Sequence, residues 1–171
     1  MKILGINCMN HDAAMAVVDY SSGIGEVLWA AHAERYSKVK NDHYLNWAIV
    51  NEAMTYGPFD KVVYYEKPWS KKARQFYAGQ YGTALSYTEL PSWHLGHFGI
   101  KIDEYVKHHD SHAAAGYFTS PFKEATILTV DAIGEWDTVS ISTAEKVWIE
   151  RKETIKYPVS YTHLTLPTSS V

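Results

Sequence analysis

The residues best suited to chemistry are His108-His109-Asp110-Ser111-His112 and, after an intervening helix, Val130-Asp131-Ala132-Ile133-Gly134-Glu135. If a helix begins around Asp110, His108 sits just before its first turn and His112 lies within it. Residues four apart share a side of a helix, so both imidazoles can face one ion. Asp131 ends an apolar run, where a carboxylate has little reason to be unless a ligand or donor meets it. Two histidines and a carboxylate, with other positions open, form the donor set of non-haem Fe(II) sites and of some zinc sites. Such an ion can orient phosphates and polarise an oxygen without redox chemistry. The competing reading is a His-rich turn that caps a solvated helix, because HxxxH pairs also arise by chance.

Three weaker signals lie elsewhere. In Asn10-His11-Asp12, the imidazole of His11 can serve as a general base. The same residues also satisfy a plain β-turn through side-chain hydrogen bonds, which is the commoner use. Arg35, Lys38 and Lys40 concentrate positive charge after a strand, suited to a phosphate or a carbamoyl group, or else to a solvated loop. Gly134 follows a strand and permits close backbone approach to a phosphate. Lys71, Lys72 and Arg74 read as a helix surface, and Cys8 as core packing.

These residues need a scaffold, and the chain predicts one. Residues 2–8, 13–20 and 26–34 are β-prone runs separated by polar or glycine turns, which gives an antiparallel meander. Residues 46–56 have helical spacing and stop at Gly57-Pro58. Residues 60–65 form a short strand, 70–87 helix with loops, 100–108 a strand and 111–118 the start of a small-residue helix. Residues 125–130 predict a compact buried strand, and 138–142 with 146–150 a further hairpin. The order β-β-β-α-β-α-β-α-β-β-β implies an α/β fold, a mixed sheet with flanking helices, and matches the ribonuclease H-like core of actin and Hsp70. Residues 158–171 change character to Thr, Ser, Leu and Pro, and read as a non-native or flexible tail that follows a domain spanning 1–157.

Bulk properties narrow the partners. The 171 residues suffice for one well-buried domain, and a net charge of −3 offers no basic field for nucleic acid. The single cysteine excludes an internal disulfide framework. No segment reaches the roughly 20 apolar residues needed to span a bilayer, so a cytoplasmic setting without membrane is expected.

Four stretches, ILGINCMNHDAAMAVVD, AAHAERYSKVKND, HHDSHAAAGYFTSPF and ILTVDAIGEWDT, occur in this order. Together they resemble the carbamoyltransferase family of the nodulation protein NodU and the antibiotic O-carbamoyltransferases, nearly as far as Tyr157. The resemblance implies an ASKHA-type, Kae1-like domain. It also implies ATP-dependent transfer of a carbamoyl group from carbamoyl adenylate, made from carbamoyl phosphate and ATP, to a hydroxyl of a small-molecule or sugar acceptor. His108, His112 and Asp131 match the family's iron ligands, and His11 matches the histidine near the acceptor hydroxyl. Lys40 matches a lysine that contacts the intermediate, with Arg35 and Lys38 beside it, while Gly134 and Glu135 border the nucleotide. A further aspartate ligand and a carboxy-terminal YrdC-like domain are expected beyond this chain, so the chain reads as an amino-terminal portion. A Kae1/TsaD-like tRNA threonylcarbamoyl transfer protein and a non-catalytic metal- or nucleotide-binding module are the alternatives.

Overall fold

The computed structural model describes residues 1–158. The tail predicted from position 158 onward lies, past Pro158, outside the described residues. Chain order is β1 (Lys2–Asn7), β2 (Ala14–Asp19), β3 (Glu26–His32), α1 (Glu34–Ser37), α2 (Trp47–Met54), β4 (Lys61–Tyr64), α3 (Pro68–Tyr77) and α4 (Tyr81–Leu85). A single 3₁₀ turn then leads to α5 (Pro91–Gly96), β5 (Glu104–Tyr105), α6 (His108–Phe118), β6 (Glu124–Gly134), β7 (Asp137–Glu145) and β8 (Trp148–Lys156).

The first five strands form one mixed sheet in the order β3-β2-β1-β4-β5. β1, β2 and β3 pair antiparallel, whereas β4 lies parallel to β1 and β5 parallel to β4. This order and polarity are those of the ribonuclease H-like sheet that the sequence predicts. Alternation decides the two faces. Leu4, Ile6, Met15 and Val17 point into a core completed by Ile49, Val50 and Ala53 of α2 and Leu95 of α5. Full burial of side chains such as Ile49 and Val50 contributes about 1.5–3 kcal/mol each. Asn46 caps α2, accepting from the N–H groups of Ala48 at 3.0 Å and Ile49 at 3.3 Å. On the opposite face Gly5, Asn7, Ala14 and Ala16 stay small, leaving a 440 Å³ cleft with Ser111 and Ala115 of α6 on its border.

Several expectations need correction. The last three strands do not extend the first sheet but form their own antiparallel sheet, β6-β7-β8. The run at 125–130 is not compactly buried, since β6 is an edge strand on which Leu128 is 63% and Val130 50% exposed. Of the strand expected over 100–108 only Glu104 and Tyr105 stand in register with β4, flanked by bonds from Asp103 N–H to Val62 O and from Val106 N–H to Tyr64 O. The chain then turns at Lys107, and His108 opens α6. Lys72 is no surface residue: it is buried, and its ammonium donates to the carbonyls of Thr83, Ala84 and Ser86. Cys8 is fully buried as expected, and burial pushes its thiol pKa up to about 12.

Candidate metal centre

Two elements bring the candidate ligands together. α6 starts at His108 and carries His112 one turn later, while β6 delivers Asp131 from the neighbouring sheet. The pairing of β6 with β7 is irregular between Val130 and Gly134, so Asp131 stands at a bulge. Bulges re-aim side chains, and this one turns Asp131 toward the helix. Asp131 Oδ2 lies 2.8 Å from His108 Nε2 and 3.9 Å from His112 Nε2, and the two Nε2 atoms are 3.0 Å apart. All three ligand atoms fall within 4.8 Å of one another.

The donor set fits a divalent cation. Ligand atoms about 2.0–2.2 Å from one ion lie roughly 3–3.5 Å from each other. A proton on one imidazole satisfies one of these contacts, whereas a cation satisfies all three. His108 is buried, Asp131 is partly covered and the His112 side chain is 54% exposed, so the open positions face solvent.

His108 is held on every side. Its Nδ1 is buried, has no hydrogen-bond partner among the described residues and lies 3.6 Å from Glu66 Oε2. The Tyr65 ring packs 5.3 Å away. Burial disfavours the imidazolium, but the hydrogen bond to Asp131 and then the proximity of Glu66 outweigh it, raising the pKa to about 9. The same contact with His108, against burial, pulls Asp131 down to about 2. Partial burial lowers His112, reinforced by charge on His108, and charge on His11 also contributes, so the His11 turn lies within electrostatic range.

This pair fixes a pH profile for the metal-free chain. Asp131, depressed from 3.8 to about 2, contributes stability that is present above pH 3.8 and lost as pH falls through about 2. His108, raised from 6.5 to about 9, contributes stability present below pH 6.5 and lost as pH rises through about 9. Both shifts describe one contact, so the plateau lies between 3.8 and 6.5. Asp131→Asn is expected to flatten both flanks in urea midpoints of metal-free protein. A wild-type profile in that variant would remove the pairing from the account.

The other expected site residues fall into two groups. His11 is exposed, with Nδ1 2.8 Å from Asp12 Oδ2. Its turn is tied to the cation loop, because Met9 N–H donates to His43 O and Ala13 N–H to Asp42 O. Arg35, Lys38 and Lys40 line one 660 Å³ cleft with Asp12 and His32. Lys38 caps α1 in a left-handed conformation and donates to Arg35 O at 2.7 Å. The sequence thus brings His11 and the cations to one region, beside the triangle rather than in it.

Gly134 and Glu135 behave differently from expectation. What approaches Gly134 is a pair of rings: a Cβ there would stand 2.5 Å from His108 Cδ2 and 2.9 Å from His109 Cδ2. The Glu135 carboxylate turns inward and accepts from Lys67 N–H at 2.8 Å and His108 N–H at 3.1 Å. It caps the start of both α3 and α6 and so faces backbone, while its carbonyl accepts from Arg74 Nε. Sequence reasoning missed Glu66, which follows β4 as Asp131 follows its own apolar run; a carboxylate ending a β-run was the available signal.

Residues 95–166 match the family described as carbamoyltransferase N-terminus, a stretch that contains α6, β6 and all three candidate ligands. The uncharacterized protein sll1178 of Synechocystis sp. is 28% identical over 167 residues, covering 81% of this chain and 26% of that protein. The chain therefore spans about a quarter of the length of that curated relative. Two Aquifex aeolicus structures also align. A Ppx/GppA phosphatase, type II variant, has TM-score 0.44 and 13% identity over 96% of this chain and 54% of its own. A structure described as the PPX-GPPA enzyme has TM-score 0.48 and 11% identity over the same shares. At these values no function passes from them, and the fold stands on its own strand order.

Proposed function

We propose that this chain is the metal-holding amino-terminal part of an ATP-dependent O-carbamoyltransferase. The observation that carries the reading is the convergence of His108 Nε2, His112 Nε2 and Asp131 Oδ2 inside the family-matched segment. A divalent ion bound there, Fe(II) or another, supplies Lewis acidity and a fixed charge for the phosphate of carbamoyl adenylate. Asp12, beside His11 Nδ1, favours the tautomer that leaves Nε2 free to accept a proton. His11 then takes the proton of the acceptor hydroxyl as its oxygen bonds to the carbamoyl carbon. The bond from that carbon to the phosphate oxygen breaks, and AMP leaves. Lys40, with Arg35 and Lys38 near it, steadies the developing negative charge across the cleft. Gly134 contributes by leaving room for the histidines, and Glu135 by fixing the helix that bears them.

Carbamoyl phosphate, ATP and a hydroxylated small molecule are the substrates of this reading, and adenylate formation is assigned to a YrdC-like domain outside the chain. A net charge of −3 gives the tRNA alternative no electrostatic support. Among the described residues no helix is long and apolar enough to cross a membrane. With Cys8 reduced and buried, a cytoplasmic setting suits the reading.

Metal analysis tests the reading directly. Purified protein loaded with Fe(II) or Zn(II) should retain about one ion per chain, and His108→Ala and Asp131→Ala should each weaken binding by at least ~100-fold. A folded wild type that takes up no ion, or variants that bind as well as it does, would sink the proposal.

A further inference from the structure

Glu66 and Lys71 lie outside the ligand triangle, yet Glu66 faces the Nδ1 side of His108 and Lys71 holds Glu66. Glu66 lies two residues past the end of β4 and is 4% exposed. A carboxylate so buried needs compensation. Lys71, one turn into α3, donates to its Oε1 at 2.8 Å. The other oxygen, Oε2, faces His108 Nδ1 at 3.6 Å, and that nitrogen has no hydrogen-bond partner among the described residues.

A neutral imidazole that offers its Nε2 lone pair to a cation must carry its proton on Nδ1. That N–H then points at Glu66 Oε2. A small closure of the 3.6 Å gap completes the hydrogen bond. The ring cannot swing away, because the Gly134 backbone and the Tyr65 ring confine it. Glu66 is pinned in turn, since Lys71 fixes its second oxygen from a different element.

We infer that Glu66 is the positioning residue of the metal centre, an outer carboxylate held by Lys71 that fixes His108 with Nε2 toward the ion. This rests on the metal reading above. It predicts that the carboxylate matters to metal affinity although it touches no metal.

The experiment titrates purified protein with Co(II) and Zn(II) alone, following the Co(II) visible spectrum and the heat of Zn(II) binding. Melting of the metal-free protein is recorded alongside. Glu66→Gln keeps the shape but presents an amide, and should weaken both metals about 10–100-fold while altering the Co(II) bands. Glu66→Asp should recover part of that loss. Lys71→Met removes the clamp and leaves the carboxylate, so it should weaken binding less than Glu66→Gln. If Glu66→Gln does not fold, Lys71→Met decides. Wild-type binding with unchanged affinity and spectrum in the folded variants overturns the role of Glu66 alone. A wild type that binds neither metal overturns the metal reading itself.

Discussion

Gly134→Ala is expected to destabilise the protein by about 1–3 kcal/mol, the usual cost of forcing a methyl into a packed site, and to loosen metal binding at the same time. The new Cβ would lie 2.5 Å from Cδ2 and 2.9 Å from Cγ of His108, and 2.9 Å from Cδ2 of His109. Neither ring has an easy retreat. His108 is held between Asp131 at Nε2 and Glu66 on the Nδ1 side. His109 is buried, with Nδ1 2.9 Å from Ser140 Oγ. Backbone strain is not the cause, since Gly134 shows no left-handed φ; the cost is purely one of space. Urea unfolding and a Zn(II) titration on one sample would report both effects. A variant with wild-type stability and affinity would mean that the rings do not fill the space above Gly134.

Arg151→Met should cost about 1–3 kcal/mol, between the values for an exposed ion pair and for a buried one. The guanidinium bridges Asp110, in the first turn of α6, and Asp137, at the start of β7. Arg151 and Asp137 are well covered, while Asp110 is partly open to water, which moderates the loss. Methionine keeps the aliphatic packing of the stem but leaves the Asp137 carboxylate without its cation. A double-mutant cycle with Asp137→Asn separates the pair from packing. A coupling near zero would show that the bridge adds nothing, and a large one should persist in salt because the pair is shielded from solvent.

What was legible in the sequence was local. The meander at residues 2–34 follows from β-runs cut by polar turns, and the helix at 46–56 from its spacing and the Gly57-Pro58 stop. His108, His112 and Asp131 could be paired in advance because a helical step of four and a carboxylate closing an apolar strand are both local patterns. Contacts made across long sequence distances were hidden. Nothing near Lys72 announces that three carbonyls from residues 83–86 receive its ammonium, so a charged residue on a helix was read as solvated. Glu135 looked available to a ligand, yet its carboxylate caps α6 from 27 residues away. The separate second sheet was equally hidden, because strand pattern sets the existence of β6 and not its partner.

The first turn of α6 is stitched to both sheets by consecutive residues. Asp110 engages Arg151 of the second sheet, and Ser111 donates to the Tyr65 carbonyl, just past β4 of the first, at 2.8 Å. The ligands His108 and His112 flank that stitch, and Asp131 belongs to the second sheet alone. An ion closing the triangle would therefore rivet that helix to the second sheet, leaving the tie to the first sheet to Ser111. Its tightness would gauge how closely α6 is drawn onto β6, and loading should register as slowed amide exchange along α6 and β6, far beyond the three side chains that hold it.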